Sequence, residues 1–171
     1  AAALGRRSEL LLGAAADEAT VRRRAAGAPI LHLAAHGVVD AVDPMRSGVV
    51  LAPGEGLAAG DGRWTLREIQ ADRFNADLVT ISACESGLGP ISADGVLGLS
   101  RAFLVAGARS VLVSLWRVAD IPTRYQMEHF YRVLADNGGD RAAALREAQL
   151  STLRALRAGG VVVMLNPELH A

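Results

Sequence analysis

Apolar residues gather into short continuous runs separated by polar and glycine-rich stretches, and the runs alternate with segments of helical period. Residues 30–35, 49–52, 78–83 and 110–115 are apolar runs, the third of them rich in β-branched side chains, and each predicts a strand. Helices are expected over 17–26, 65–71, 96–106, 123–135 and from the N-cap Asp140 to about Arg157. Thr65 followed three residues later by Glu68 has the spacing of a capping box, and Gly107 suits a helix C-cap. Pro122 fits a first helical turn, and Asn137-Gly138-Gly139 ends the segment that follows it. The segment 55–62 reads as an exposed hairpin or loop, and 161–165 as a possible last strand.

Near-continuous apolar strands alternating with helices predict an α/β fold: a three-layer sandwich with a mainly parallel central sheet and helices on both faces. With 171 residues, 51% of them apolar, the chain suits a single domain, 1–171, with a substantial core.

Composition narrows the function classes. The formal net charge is zero and the longest basic run is Arg22 to Arg24, so nucleic acid is not expected as a partner. All 18 basic residues are Arg, and Ala and Gly are abundant, which suits a GC-rich, bacterial coding source. Cys84 is the single cysteine, which excludes an intramolecular disulfide and a cysteine-rich metal site. No apolar stretch approaches the length of a membrane span and no signal sequence opens the chain, so a soluble, cytoplasmic protein is expected.

The candidate chemistry stands at strand ends. In open parallel sheets, reactive groups collect in the crevice beyond the carboxyl ends of the strands. His36 ends the first apolar run and Cys84 ends the third. An imidazole that takes the thiol proton turns cysteine into a nucleophile, so the pair reads as a catalytic dyad. Their separation of 48 residues is close to the spacing of about 50 found in caspase-type peptidases. The plainer readings are a buried structural thiol and a histidine satisfied by backbone; the glycine-rich stretch after Cys84 and Gly37 after His36 favour the dyad. The Gly37 N–H is a candidate oxyanion donor. His32 is expected to be a packed core residue, and His129 and His170 to be solvated or packing side chains, leaving no metal site and no cofactor. Gly87-Leu88-Gly89 lacks the full dinucleotide-loop spacing and is interrupted by Pro90.

Five stretches, in order, resemble the CHAT family. His32-Leu33-Ala34-Ala35-His36-Gly37 and Ile81-Ser82-Ala83-Cys84-Glu85-Ser86-Gly87-Leu88-Gly89 resemble its two catalytic motifs. Residues 95–108 resemble the helix after the cysteine, 113–120 the next strand, and 142–149 the late helix. The resemblance runs from about Leu10 to Leu153. It implies a caspase-like, separase-related cysteine endopeptidase, often joined to tetratricopeptide repeats or another sensor domain. Cys84 is then the nucleophile, His36 the general base, and the Gly37 and Cys84 main-chain N–H groups the oxyanion hole. Asp120 resembles an acidic position of separases and implies cleavage after a basic residue, Arg above Lys; its alternative is to cap the helix near Pro122. Asp40, Ser82 and Trp116 are further substrate-binding candidates, with Asp43, Glu85 and Asp94 weaker ones. The family's opening strand is expected to be truncated and the tail 158–171 atypical. Two alternatives stay open: a catalytically silent interaction or signalling platform, and a redox-sensing thiol at Cys84.

Overall fold

The computed structural model describes residues 8–54, 60–82, 93–114 and 118–161, and of these the side chains of 93–97 are not described. The chain divides into two compact units, Leu11–Arg117 and a second one made of Val118–Ala171 with Ala1–Leu10.

In the first unit, β1 (Ile30–Leu33), β5 (Leu78–Ile81) and β6 (Val111–Val113) form a parallel sheet in the order β1-β5-β6. Ile30 pairs with Leu78 and Leu33 with Ile81, while Val79 to Ile81 pair with Val111 to Val113. Strand alternation sends Leu31, Leu33, Val79, Ile81, Val111 and Val113 to one face. Against that face pack Val21 and Ala25 of α1 (Glu18–Ala25), Leu66 and Ile69 of α2 (Leu66–Ala71), and Ala102, Phe103 and Ala106 of α3 (Ala93–Val105). Trp64 and Phe103 are fully buried there, edge to face with centroids 5.4 Å apart, and Phe74 lies 5.7 Å from each. Such aromatic pairs contribute about 1 kcal/mol beyond the area they bury. The α/β class and the mainly parallel sheet expected from the sequence are both present.

The long connection from β1 to β5 carries a second, antiparallel sheet of β2 (Gly37–Val38), β3 (Gly48–Val50) and β4 (Arg63–Thr65). Gly37 pairs with Val49 and Val49 with Trp64, and all three are buried. The segment read as a hairpin or loop is thus the link between β3 and β4, although residues 55–59 lie outside the described residues. The capping box on α2 is formed as expected: Thr65 Oγ1 accepts from the Glu68 N–H at 3.3 Å, and the Glu68 carboxylate accepts from the Thr65 N–H at 2.9 Å. Arg22 of α1 binds Asp72 through two nitrogens at 2.8 and 3.0 Å, Glu18 at 3.0 Å and Glu68 at 3.3 Å. Asp72 also accepts from Trp64 Nε1 at 2.9 Å, so one guanidinium joins α1, the end of α2 and β4.

The second unit is a helix hairpin of α4 (Asp120–Asp136) and α5 (Arg141–Arg157), which pack against each other. Asp140 caps α5 by accepting from the Ala143 N–H at 3.0 Å, as expected, and Gly138 and Gly139 turn the chain at φ values of 70° and 90°. The possible strand at 161–165 falls almost wholly outside the described residues.

Candidate functional site

β1 and β5 are neighbours and parallel, so they end side by side. The last ladder pair is Leu33 with Ile81, and the next amide, Ser82 N–H, donates to the Leu33 carbonyl at 2.9 Å. From this point one chain reaches His36 in three residues, and the other reaches Cys84 two residues after Ser82. Cys84 and Trp116 lie outside the described residues.

His36 is exposed, and its carbonyl accepts from the Val50 N–H at 2.7 Å, which fixes its backbone against β3. Amides alternate in direction along an antiparallel strand, so with His36 turned toward β3 the Gly37 N–H points away from it. Gly37 itself is buried.

Asp40 sits in the loop after β2. Its N–H donates to Ser47 Oγ at 2.9 Å, its Oδ1 accepts from the Val42 and Asp43 N–H groups at 3.0 and 2.9 Å, and its Oδ2 faces Arg46 Nε at 3.5 Å. The Asp43 and Val42 amides hold its carboxyl below the usual carboxylate range, with Arg46 and Arg63 adding to the effect. Asp43 accepts from the Met45 N–H at 3.0 Å and pairs with Arg67 at 3.1 Å.

Asp120 belongs to the second unit, where it is exposed and opens α4. The residue in the N-cap position is Ala119, so Asp120 contributes to the first turn as a charge at the positive end of the helix dipole. Pro122 is tolerated in that turn because its missing N–H has no intrahelical acceptor there.

His32 is exposed where a packed core residue was expected. Leu31 and Leu33 take the core face, so alternation puts His32 on the opposite face of β1, an edge strand of the sheet, whereas its ladder partner Thr80 lies on the same face of the central strand β5 and is buried. Protein atoms crowding the ring still lower its pKa by desolvation, although part of the ring remains open to solvent. His129 stacks on Tyr125 one helical turn earlier, with centroids 4.7 Å apart, in the packing role expected of it. Among the described residues, no three His, Cys, Asp or Glu side chains stand close enough to hold a metal ion, and no helix is long and apolar enough to cross a membrane.

Arg63 and Val50 were not legible as site neighbours. Val50 lies opposite His36 and pairs with Arg63 in the antiparallel sheet. Strands of two or three residues show no period, and the glycine-rich stretch before Arg63 imitates a loop.

Over 76 residues the chain is 41% identical to tetratricopeptide repeat protein 28 of Mus musculus, a match covering 44% of this chain and 3% of that protein. The Homo sapiens protein of the same name is 44% identical over 71 residues, covering 42% of this chain and 3% of its own length. The matched region is thus a small fraction of either relative. A family model described as the CHAT domain matches residues 1–159, a wider span than the motifs alone mark out. With the parallel sheet placing both motif-bearing strand ends side by side and the family model covering most of its length, the chain belongs to the CHAT domain family.

Proposed function

We propose that this chain is the catalytic module of a cysteine endopeptidase that cleaves a protein partner. The observation that carries the reading is the Ser82 N–H bond to the Leu33 carbonyl, which joins the strand end leading to His36 to the one leading to Cys84. In the reaction, His36 takes the thiol proton, and the Cys84 sulfur attacks the scissile carbonyl carbon. The oxyanion is held by main-chain N–H groups of Cys84 and Gly37, and an outward amide at Gly37 supports that role. His36 then protonates the leaving amine, and water hydrolyses the thioester, restoring the thiol. Cleavage after Arg rests on the resemblance of Asp120 to an acidic separase position. Control by a repeat or sensor domain is supported by the tetratricopeptide name of both relatives.

Incubating the full-length protein with reporter peptides ending in Arg or Asp tests this. The Arg series is expected to be cut, and Cys84→Ala and His36→Ala each to lower kcat/KM by roughly 10³-fold or more. Cutting of the Asp series alone would refute the basic preference. If Cys84→Ala leaves every biochemical and cellular readout unchanged, the module is an interaction platform.

A further inference from the structure

Between Val96 and Ala106 the only polar residues are Ser100 and Arg101, so the sequence of α3 is apolar almost all round. A helix of that composition is ordinarily covered on every side. Here one side is covered: Ala102, Phe103 and Ala106 are buried in the core against the parallel sheet. The other side carries Arg101, Leu104 and Val105, all exposed, Leu104 by 49% and Val105 by 61%. Leu104 and Val105 follow Arg101 at i+3 and i+4, so the three side chains share one face of the helix and form a single ridge.

The rim of this ridge is basic. The Phe74 N–H donates to the Ala106 carbonyl at 2.8 Å and the Arg109 N–H to the Ala76 carbonyl at 2.9 Å, which brings the exposed Arg73 and Arg109 to the C-terminal end of α3. The carboxylates of the same stretch are engaged, Asp72 by Arg22 and the Trp64 indole and Asp77 by Arg109 at 3.0 Å. The Arg73 guanidinium meets the Gln70 and Asp72 carbonyls, which leave its charge unneutralised. Among the described residues, no carboxylate pairs with Arg73 or Arg101.

We infer that the outer face of α3 is a docking surface for an acidic amphipathic helix of a partner protein, which sets aliphatic side chains against Leu104 and Val105 and carboxylates beside Arg101 and Arg73. A ridge spaced i, i+3 and i+4 fits the groove of another helix. Charge complementarity selects an acidic helix over a basic one, since a guanidinium fork receives a carboxylate bidentately. The surface uses none of the residues assigned to peptide cleavage, so it stands or falls apart from the peptidase reading.

A phage-displayed library of helical peptides of about 18 residues, five turns, is panned on the full-length protein and counter-selected on its Leu104→Gln, Val105→Gln double variant. Glutamine keeps a good helix propensity and both positions are exposed, so the unfolding midpoint of the double variant is expected to stay unchanged. Enriched peptides are expected to carry Leu or Met at i, i+3 and i+4 with Glu or Asp beside them. In anisotropy titrations Arg101→Glu should weaken the tightest of these roughly three- to tenfold, and exchanging the peptide's Glu for Lys should restore affinity for that variant alone. Enrichment of basic helices, enrichment without the apolar spacing, or the absence of any peptide that discriminates against the double variant overturns the proposal. A concentration-dependent dimer in sedimentation that the double variant abolishes overturns it too, because the occupant is then a second copy of the chain.

Discussion

Four residues after His36, Asp40 commits both carboxylate oxygens to its own loop: Oδ1 to the Val42 and Asp43 amides, Oδ2 to Arg46. These amides favour the charged form and depress its pKa. A depressed folded-state pKa means that the contribution to loop order is present above the unfolded value of about 3.9 and is lost as pH falls through the folded value. The Val42 and Asp43 amide resonances of the wild-type protein are therefore expected to stay constant from pH 8 to about 5, and to shift together only below about pH 4. Asn at position 40 keeps an acceptor oxygen but has no proton to gain. Asp40→Asn should flatten that acid transition at both amides in NMR titrations; an unchanged midpoint in the variant would show that another group governs the loop.

At the level of elements, the antiparallel sheet depends on Gly48. A Cβ there would collide with the Trp64 carbonyl oxygen and stand 2.7 Å from the Thr65 Cα, both backbone atoms of a paired strand. Neither can swing aside as a side-chain tip would, so β3 and β4 must part. Gly48→Ala is expected to cost about 1–3 kcal/mol in urea unfolding. Gly27→Ala, with nothing within 4 Å of the added carbon, should cost under about 0.5 kcal/mol, and equal losses would refute the close-approach argument. Such contacts mark the limit of what the sequence discloses. The strands β1, β5 and β6 were legible because buried parallel strands are continuous apolar runs, and α2 and α5 because Thr65, Glu68 and Asp140 announce their caps. β2 and β4 were not, since two or three residues carry no period and glycine-rich flanks imitate loops. At the site, the strand-end position of His36 could be read locally, whereas its alignment with Val50 and Arg63 depends on a register that only long-range pairing sets.

Across the whole Leu11–Arg117 unit, packing against the parallel sheet is supplemented by the Arg22 network. Its guanidinium meets three carboxylates, of which Glu18 is only 3% exposed at the side chain and Asp72 22%. Ordinary surface pairs contribute little, but removing one partner of a desolvated pair leaves the other buried and uncompensated. Here one deletion strands Glu18, Glu68 and Asp72 together, and Asp72 is also the acceptor that satisfies the buried Trp64 indole. Asp72 lies just past α2 and Glu18 opens α1, so the helices that cover the sheet would repel where they now join. Arg22→Ala is expected to lower stability by about 2–4 kcal/mol, below the full cost of breaking a buried pair because the Arg22 side chain is 30% exposed. Arg22→Lys should recover only part of the loss, since an ammonium cannot reproduce the two parallel bonds to Asp72 while reaching Glu18. Urea unfolding followed by far-UV circular dichroism measures both. A loss under about 0.5 kcal/mol for Arg22→Ala would place the network among ordinary surface ion pairs and assign the joining of α1 to α2 to apolar contacts alone.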